Sequence, residues 1–353
     1  MVWGVMLSPA FFIFFMISSL GTVMVILSGG LLGVWLSLEL AFFGFIPILN
    51  GKSVCENESA VKYFIVQSIG SGFLLVSFLL ISSQLNFVST YVLSQGVIHF
   101  MMIMGFFIKL GVFPMHFWFP SVMGSASWFS CFWLGVVQKI GPFWGISGVG
   151  MASGLLTMFF YMAVFTSVVG ALGGLAQTQI RPLLAYSSLG QTGWMSLILM
   201  SDLEIFIGYF MLYSLLLGGL LMGLNLINHY TVNGGVSWSE VSGFLFWLFG
   251  GSYFLSLVGM PPFAGFFLKL AGVFMIVNKF PLLLGVLMVS TMVSLYFYLN
   301  MFFSSVFCVG SMDYGMLSSS LLEYKIPAAV LFLSILNWLG GIPLILFSGY
   351  TVF

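Results

Sequence analysis

Four ionisable residues lie within long apolar runs of this sequence. Glu39 lies in GLLGVWLSLELAFFGFIPIL, Lys109 follows VIHFMMIMGFFI, Lys139 ends WFSCFWLGVVQK, and Lys269 lies in FAGFFLKLAGVFMIV. A charge at the centre of a bilayer costs about 2.5–3.5 kcal/mol even on insertion scales, so buried charges of this kind usually mark an ion or proton path. The alternative interpretation is a structural ion pair, or a lysine whose alkyl stem reaches the membrane surface.

The signs of these buried charges do not balance. One carboxylate cannot neutralise three ammonium groups, so burial and mutual repulsion favour the neutral form of at least one lysine. A lysine in that state can accept and release protons near neutral pH, and coupled groups of this kind titrate as a set. The pattern therefore predicts a proton relay.

The composition is that of an integral membrane protein. Of the 353 residues, 61% are hydrophobic and 5% are charged, whereas charged residues make up about a quarter of a soluble domain. Apolar stretches long enough to cross a core of ~30 Å recur along the chain, which favours helices over the short alternating strands of a barrel. The formal net charge is zero and no basic cluster is present, which excludes a nucleic-acid partner. The three cysteines have no CxxC spacing, so no zinc or iron–sulfur motif is expected.

We predict an all-α, polytopic bundle of about eleven transmembrane helices. Apolar runs and breakers place the spans at 9–29, 30–49, 60–82, 92–120, 124–145, 150–177, 182–201, 204–229, 239–278, 281–307 and 326–348. Glycine and proline interrupt the fourth span around Gly111–Pro114 and the ninth around residues 259–262.

Interrupted spans at corresponding places indicate a transporter built from repeats, and an odd number of helices per repeat inverts the second copy. We therefore expect a first antiporter-like repeat of five helices over residues 1–145. A second, inverted repeat of five helices is expected over 150–307, followed by a C-terminal transmembrane helix at 326–348.

The remaining charges lie at predicted helix ends, where solvated or snorkelling side chains are expected. They are Lys52, Glu56, Glu58, Lys62, Arg181, Asp202, Glu204, Glu240, Lys279, Asp313, Glu323 and Lys325. More of the loop cations fall on the side of the N-terminus, so the positive-inside rule places the N-terminus in the matrix or cytoplasm and the C-terminus across the membrane.

The histidines and glycine clusters allow separate interpretations. His116 lies beside the first break and either passes protons or only donates and accepts hydrogen bonds. We expect His99 to be a core residue and His229 to be interfacial. The glycines at 170–175 and 218–223 resemble phosphate loops only superficially, and in apolar helices they favour close helix packing.

Four segments, taken in order, resemble the NADH dehydrogenase subunit 2 family, antiporter-like subunits of mitochondrial respiratory complex I. They are KLGVFPMHFWFP (109–120), WFSCFWLGVVQK (128–139), LLAYSSLGQTGWM (183–195) and GMPPFAGFFLK (259–269). The likeness extends over about residues 35–269. With about eleven predicted helices, rather than the fourteen of bacterial counterparts, the chain resembles the animal mitochondrial members of the family.

The resemblance implies proton translocation across the mitochondrial inner membrane, coupled to electron transfer from NADH to ubiquinone. It implies no cofactor in this chain, with FMN, iron–sulfur clusters and ubiquinone elsewhere in the complex, and other membrane-arm subunits and lipid as partners. Glu39 and Lys109 would form the ion pair of the first half-channel, Lys139 the central relay, and Lys269 the lysine of the second half. His116 would be a candidate relay residue.

The sequence departs from the family pattern at three positions. Ser121 replaces a carboxylate, Gln191 replaces a histidine, and Leu268 replaces a proline, so the second break is expected to be milder. Two other functions stay open: a stand-alone secondary cation/proton antiporter, and a structural membrane spacer that carries no current. A di-haem cytochrome is excluded because it needs four histidines and the chain has three.

Overall fold

A computed structural model describes residues 9–51, 53–84, 92–148, 153–227, 244–261, 263–310 and 337–338. These parts of the chain are helices joined by short connections, without β-strands. Within them, six helices are long and apolar enough to cross a bilayer, judged by length and composition. The predicted all-α membrane class is confirmed.

The helices are numbered along the chain, and a single π-helical turn, Trp133–Val137, lies between α6 and α7. They are α1 (Pro9–Leu27), α2 (Leu31–Leu49), α3 (Val54–Gln84), α4 (Val92–Leu110), α5 (Trp118–Ser125), α6 (Trp128–Phe132), α7 (Gln138–Gly148), α8 (Ser153–Leu175), α9 (Ile180–Ser201), α10 (Leu203–Ile227), α11 (Phe244–Val258), α12 (Ala264–Ile276) and α13 (Pro281–Gly310).

The chain divides into two compact units, Met1–Thr166 and Ser167–Phe353. In the first unit, α1 packs along α2, α3 packs along α4, and α7 contacts α1, α2 and α4. In the second unit, α12 packs against α9, α10 and α11, and α11 also packs along α13. Each unit therefore holds a short helix, α7 or α12, among longer ones.

Both predicted helix breaks are confirmed. Helix α4 ends at Leu110 and α5 begins at Trp118, while α11 ends at Val258 and α12 begins at Ala264. The residue directly after each ended helix is a glycine with a positive φ, 71° at Gly111 and 84° at Gly259. Glycine adopts this left-handed conformation without a steric penalty, so it ends a helix and turns the chain. The Leu268 substitution does not remove the second break.

The third helix begins earlier than predicted, at Val54 rather than near residue 60. The Ser53 amide donates to Glu56 Oε2 and the Glu56 amide donates to Ser53 Oγ, both at 3.2 Å. This reciprocal pair is a capping box, which the Ser-x-x-Glu spacing of residues 53–56 signals in the sequence. Glu56 and Glu58 therefore lie in the first turns of α3, at a helix end as predicted.

The fifth predicted span, 124–145, is not one helix. Helix α5 continues to Ser125, and α6 starts at Trp128 because Ser127 caps it, accepting a hydrogen bond from the Ser130 amide at 3.3 Å. The π turn then separates α6 from α7, which ends at Gly148. The predicted helix at 326–348 lies outside the described residues except for 337–338.

Candidate functional site

Glu39 and Lys109 form an ion pair inside the first unit. Glu39 lies in the middle of α2, and Lys109 is the penultimate residue of α4, beside the first break. Glu39 Oε1 and Lys109 Nζ are 3.6 Å apart, and the two side chains are 12% and 3% exposed. Removing one partner of so buried an ion pair is strongly destabilising, because the other partner loses its counter-charge.

Lys139 is the second residue of α7, directly after the π turn, and is 1% exposed. Its Nζ lies 4.8 Å from the centre of the Phe119 ring, and Lys109 Nζ lies 5.8 Å from the centre of the Phe42 ring. The face of an aromatic ring attracts a cation at this range. Both ammonium groups therefore have an aromatic ring as a partial substitute for water.

One cavity joins the two buried lysines of the first unit. Lys109 and Lys139 line it, together with the polar side chains of Tyr63, Gln67 and Gln138. The rest of its wall consists of Leu38, Phe42, Trp118, Phe119, Leu134 and Pro142. The cavity is large enough and polar enough to hold a water molecule. A proton could thus pass between the lysines without crossing packed hydrocarbon.

Lys269 has a different environment in the second unit. It lies in α12, is partly buried, and donates a hydrogen bond to the carbonyl of Val258 at the end of α11. A second cavity borders it and is rich in hydroxyl groups. The hydroxyl-bearing residues of this wall are Ser167, Tyr186, Ser187, Ser290, Thr291, Ser294 and Tyr298.

Gln191 also lines the cavity beside Lys269. Its Nε2 donates to the carbonyl of Leu257 at 3.0 Å, and its Oε1 accepts a hydrogen bond from Tyr209. The last two carbonyls of α11 are thus bound by Gln191 and Lys269. An amide can hold this helix end but cannot titrate, so a proton step here would need water or a hydroxyl.

The other candidate residues lie apart from these cavities. His116 is buried in the turn between α4 and α5, with its ring centre 5.9 Å from that of Phe113 and 4.0 Å from that of Phe117. It is not among the residues that line the cavity of Lys109 and Lys139, and its relay role stays a prediction. His99 is half-buried on α4, and His229 lies outside the described residues.

Several of the charged residues that were predicted to lie at helix ends are exposed to the surroundings of the protein, as expected for solvated side chains. Lys62 and Glu58 form an exposed ion pair at 2.7 Å within α3. Lys279 is exposed and donates to the carbonyl of Ser201 at 3.0 Å. Ser121, which stands where the resemblance implies a carboxylate, is exposed and donates to the carbonyl of Trp118 at 2.8 Å. These side chains remain separate from the buried lysines.

Sequence reasoning missed the network that holds Gln138. Tyr63 Oη donates to Gln138 Oε1 at 3.3 Å, and Gln138 Nε2 donates to the Ala41 carbonyl at 3.1 Å and to Ser18 Oγ at 3.2 Å. Trp133 Nε1 also donates to Ser18 Oγ, at 2.8 Å. Uncharged polar residues are common in transmembrane helices, so no sequence signal singles these residues out. Adjacency of Gln138 to Lys139 was the only available indication.

Comparisons with known proteins identify the family of this chain. Residues 28–295 match the family described as NADH:quinone oxidoreductase/Mrp antiporter, TM. NADH-ubiquinone oxidoreductase chain 2 of Mytilus edulis is 36% identical over 287 residues, which are 81% of this chain and 83% of the relative.

Two solved structures share the fold. A chain of respiratory complex I from Thermus thermophilus with bound aureothin aligns with a TM-score of 0.76 and 22% identity, over 96% of this chain and 80% of that one. A chain of the Mrp complex from a Dietzia species aligns with a TM-score of 0.73 and 16% identity, over 92% of this chain and 73% of that one. The resemblance inferred from the four motifs is confirmed, and the chain belongs to the NADH:quinone oxidoreductase/Mrp antiporter transmembrane family.

Proposed function

We propose that this chain is a membrane-arm subunit of NADH:ubiquinone oxidoreductase, complex I, and that it translocates protons while electrons pass from NADH to ubiquinone. The observation that carries the proposal is the cavity lined by both Lys109 and Lys139. Glu39 Oε1 lies 3.6 Å from Lys109 Nζ. Buried, paired ionisable groups beside a water-sized cavity are the features that proton relays require. The relative from Mytilus edulis supports the assignment to the oxidoreductase.

The ion pair is the proposed control element of the relay. A redox-driven change elsewhere in the complex alters the distance between Glu39 and Lys109. When the distance grows, Lys109 loses its counter-charge and releases its proton towards Lys139, because a buried unpaired ammonium is unfavourable. When the distance shrinks again, Lys109 reloads. The signal thus shifts the populations of charge states rather than pushing a proton directly.

Lys269 is the proposed next acceptor, in the second unit. The hydroxyl-lined cavity beside it supports this role, because hydroxyl groups both accept and donate hydrogen bonds and can hold water in a chain. After Lys139 has loaded Lys269, the proton leaves through the second half of the subunit. His116 is a further proposed relay group, beside the first break.

The repeat organisation is part of the same proposal. We assign residues 1–145 and 150–307 to two inverted repeats of five helices, and 326–348 to a C-terminal transmembrane helix. Each proposed repeat contains a helix broken after a glycine with positive φ, at Gly111 and Gly259, and each break has a buried or half-buried lysine nearby. Broken helices in both halves are what this class of transporter uses to build its ion sites.

The setting of the subunit follows from the proposed function. We place it in the mitochondrial inner membrane, with the N-terminus on the matrix side, the C-terminus on the intermembrane-space side, and other membrane-arm subunits and lipid around it. FMN, iron–sulfur clusters and ubiquinone are assigned to other parts of the complex. In the described part of this chain, no three His, Cys, Asp or Glu side chains group together to hold a metal ion.

The test is the Lys139→Met variant in the assembled complex. Methionine keeps much of the length of the side chain but cannot carry a proton, so proton output per NADH oxidised should fall by the whole share of this subunit. Lys279→Met is the matched control, because Lys279 is exposed, and it should leave proton output unchanged. A normal proton output with Lys139→Met would show that the relay assignment is wrong and favour a structural spacer.

A stand-alone cation/proton antiporter is a second candidate, supported by the fold shared with the Mrp complex from Dietzia. Gentle purification from the native membrane separates the two candidates. A subunit of complex I migrates with NADH-oxidising activity, whereas an independent antiporter migrates without it.

A further inference from the structure

Tyr63 and Gln138 are the polar side chains that join on the wall between Lys109 and Lys139. Tyr63 comes from α3 and is 2% exposed, and Gln138 is the first residue of α7, next to Lys139. The hydroxyl of Tyr63 donates to Gln138 Oε1 at 3.3 Å. These two side chains are therefore tied to each other rather than free to turn.

The orientation of the Gln138 amide follows from its partners. The carbonyl of Ala41 can only accept a hydrogen bond, so the group facing it at 3.1 Å must be Nε2. The Ser18 hydroxyl donates to that same carbonyl at 3.1 Å, which leaves its oxygen to accept from Gln138 and from Trp133. The amide oxygen of Gln138 must then face Tyr63.

This arrangement also fixes the hydroxyl of Tyr63. Because its hydrogen is directed at Gln138 Oε1, the lone pairs of Tyr63 Oη are what it offers to the cavity. Gln67 is a further polar side chain of the wall, whereas the indole nitrogen of Trp118 is already engaged, since it donates to the carbonyl of Ile108 at 3.0 Å. A water in this cavity is therefore expected to donate a hydrogen bond to Tyr63.

We propose that Tyr63 and Gln138 position the water through which a proton passes from Lys109 to Lys139. This assignment rests on the proposed function of the subunit. The water donates one hydrogen to Tyr63 and keeps a lone pair and one hydrogen for the two lysines. One N–H bond of the Lys109 ammonium breaks as its proton moves to the water oxygen, and a proton of that water forms a new N–H bond on neutral Lys139. Lys109 becomes neutral, Lys139 becomes charged, and the water is unchanged in composition.

Ser18 and Trp133 do not line the cavity, but they help to hold the Gln138 amide in this orientation. Ser18 is fully buried in α1 and is not among the residues that line the cavity, yet it holds the amide of Gln138. Trp133 begins the π turn that precedes Gln138, and its bond to Ser18 connects that turn to α1. Tyr63 and Gln138 are thus positioning residues, and Ser18 acts through Gln138.

The test compares Tyr63→Phe with Lys139→Met in the assembled complex, measuring proton output per NADH oxidised. Phenylalanine fills the same space among Phe42, Phe45 and Trp118, so only the hydroxyl is lost. Tyr63→Phe should lower proton output as much as Lys139→Met does. The control Tyr161→Phe removes a hydroxyl from a side chain that is 52% exposed and unconnected with the cavity, and should have no effect.

Ser18→Ala is the second variant, because it weakens the hold on Gln138 without changing the cavity wall, and it should give a smaller loss of proton output. If Lys139→Met lowers proton output while Tyr63→Phe and Ser18→Ala do not, the positioning role is overturned and the proposed function stands. If Lys139→Met has no effect either, the proposed function fails and this inference fails with it. A loss in Tyr63→Phe with normal output in Tyr161→Phe supports the positioning role.

Discussion

Lys109 and Lys269 each lie near a helix break that follows a glycine with positive φ, but they have chemically different partners. Lys109 is paired with the carboxylate of Glu39 at 3.6 Å, whereas Lys269 donates to the backbone carbonyl of Val258. A carboxylate carries a full charge on a side chain that can change rotamer. The last carbonyls of a helix carry only a partial negative charge, and the fold fixes their position. In the proposed relay, the first unit is therefore suited to receiving the redox signal, and the second to holding a proton with an affinity that changes little.

This contrast predicts unequal costs when each lysine is removed. Lys109→Met leaves Glu39 charged and buried without a partner, which costs about 3–5 kcal/mol. Lys269→Met removes one hydrogen bond from a charged donor, which is worth about 1.5–3 kcal/mol. The amount of assembled complex that survives mild heating, measured on native gels, should be lower for Lys109→Met. Equal losses of heat-resistant complex in the two variants would mean that the Glu39 carboxylate stabilises Lys109 no more than the Val258 carbonyl stabilises Lys269.

The double variant Glu39→Gln/Lys109→Met sharpens the same comparison. A buried ion pair replaced as a whole is often neutral for stability, since no charge is left uncompensated. The double variant should regain at least about half of the 3–5 kcal/mol lost in Lys109→Met, again measured as heat-resistant complex. Its proton output should stay as low as that of the single variant. Recovered proton output would remove Lys109 from the relay.

The sequence was sufficient to predict the charged residues of the candidate site, but not their uncharged partners. Glu39, Lys109, Lys139 and Lys269 stand out because charges are rare in apolar runs. The partner of Lys269 is the backbone carbonyl of Val258. Every residue has such a carbonyl, so the sequence does not indicate which one binds a lysine. Tyr63 and Gln138 were missed for a related reason: uncharged polar residues are tolerated in helices, and only three-dimensional packing selects the ones that line a cavity.

The fold was predictable where local chemistry is decisive. Glycine and proline ended the helices at both breaks, as expected from their backbone preferences. The start of α3 was missed although the capping box of Ser53 and Glu56 is a local signal. The π turn at Trp133–Val137, directly before Gln138 and Lys139, was not predicted, although single π turns of this kind are frequent at functional sites.

The two glycines at the breaks offer a smaller test. Gly111→Ala and Gly259→Ala each place a side chain on a left-handed residue, which costs about 1–2 kcal/mol. Both should lower the heat stability of the complex by a similar amount. At Gly259 a Cβ atom would also lie 2.8 Å from Cδ of Lys269, so this side chain must move. Proton output per NADH should therefore fall more in Gly259→Ala, and an equal fall in both variants would contradict this account.

The smallest expected effect concerns the aromatic rings beside the lysines of the first unit. A ring that faces a cation contributes about 0.5–2 kcal/mol, depending on how far both are removed from water. Phe119 is 4.8 Å from Lys139 Nζ, while Phe42 is 5.8 Å from Lys109 Nζ, which also has Glu39. Phe119→Leu should therefore lower proton output more than Phe42→Leu does. A larger loss with Phe42→Leu would indicate that the ring, and not the carboxylate, is the main partner of Lys109.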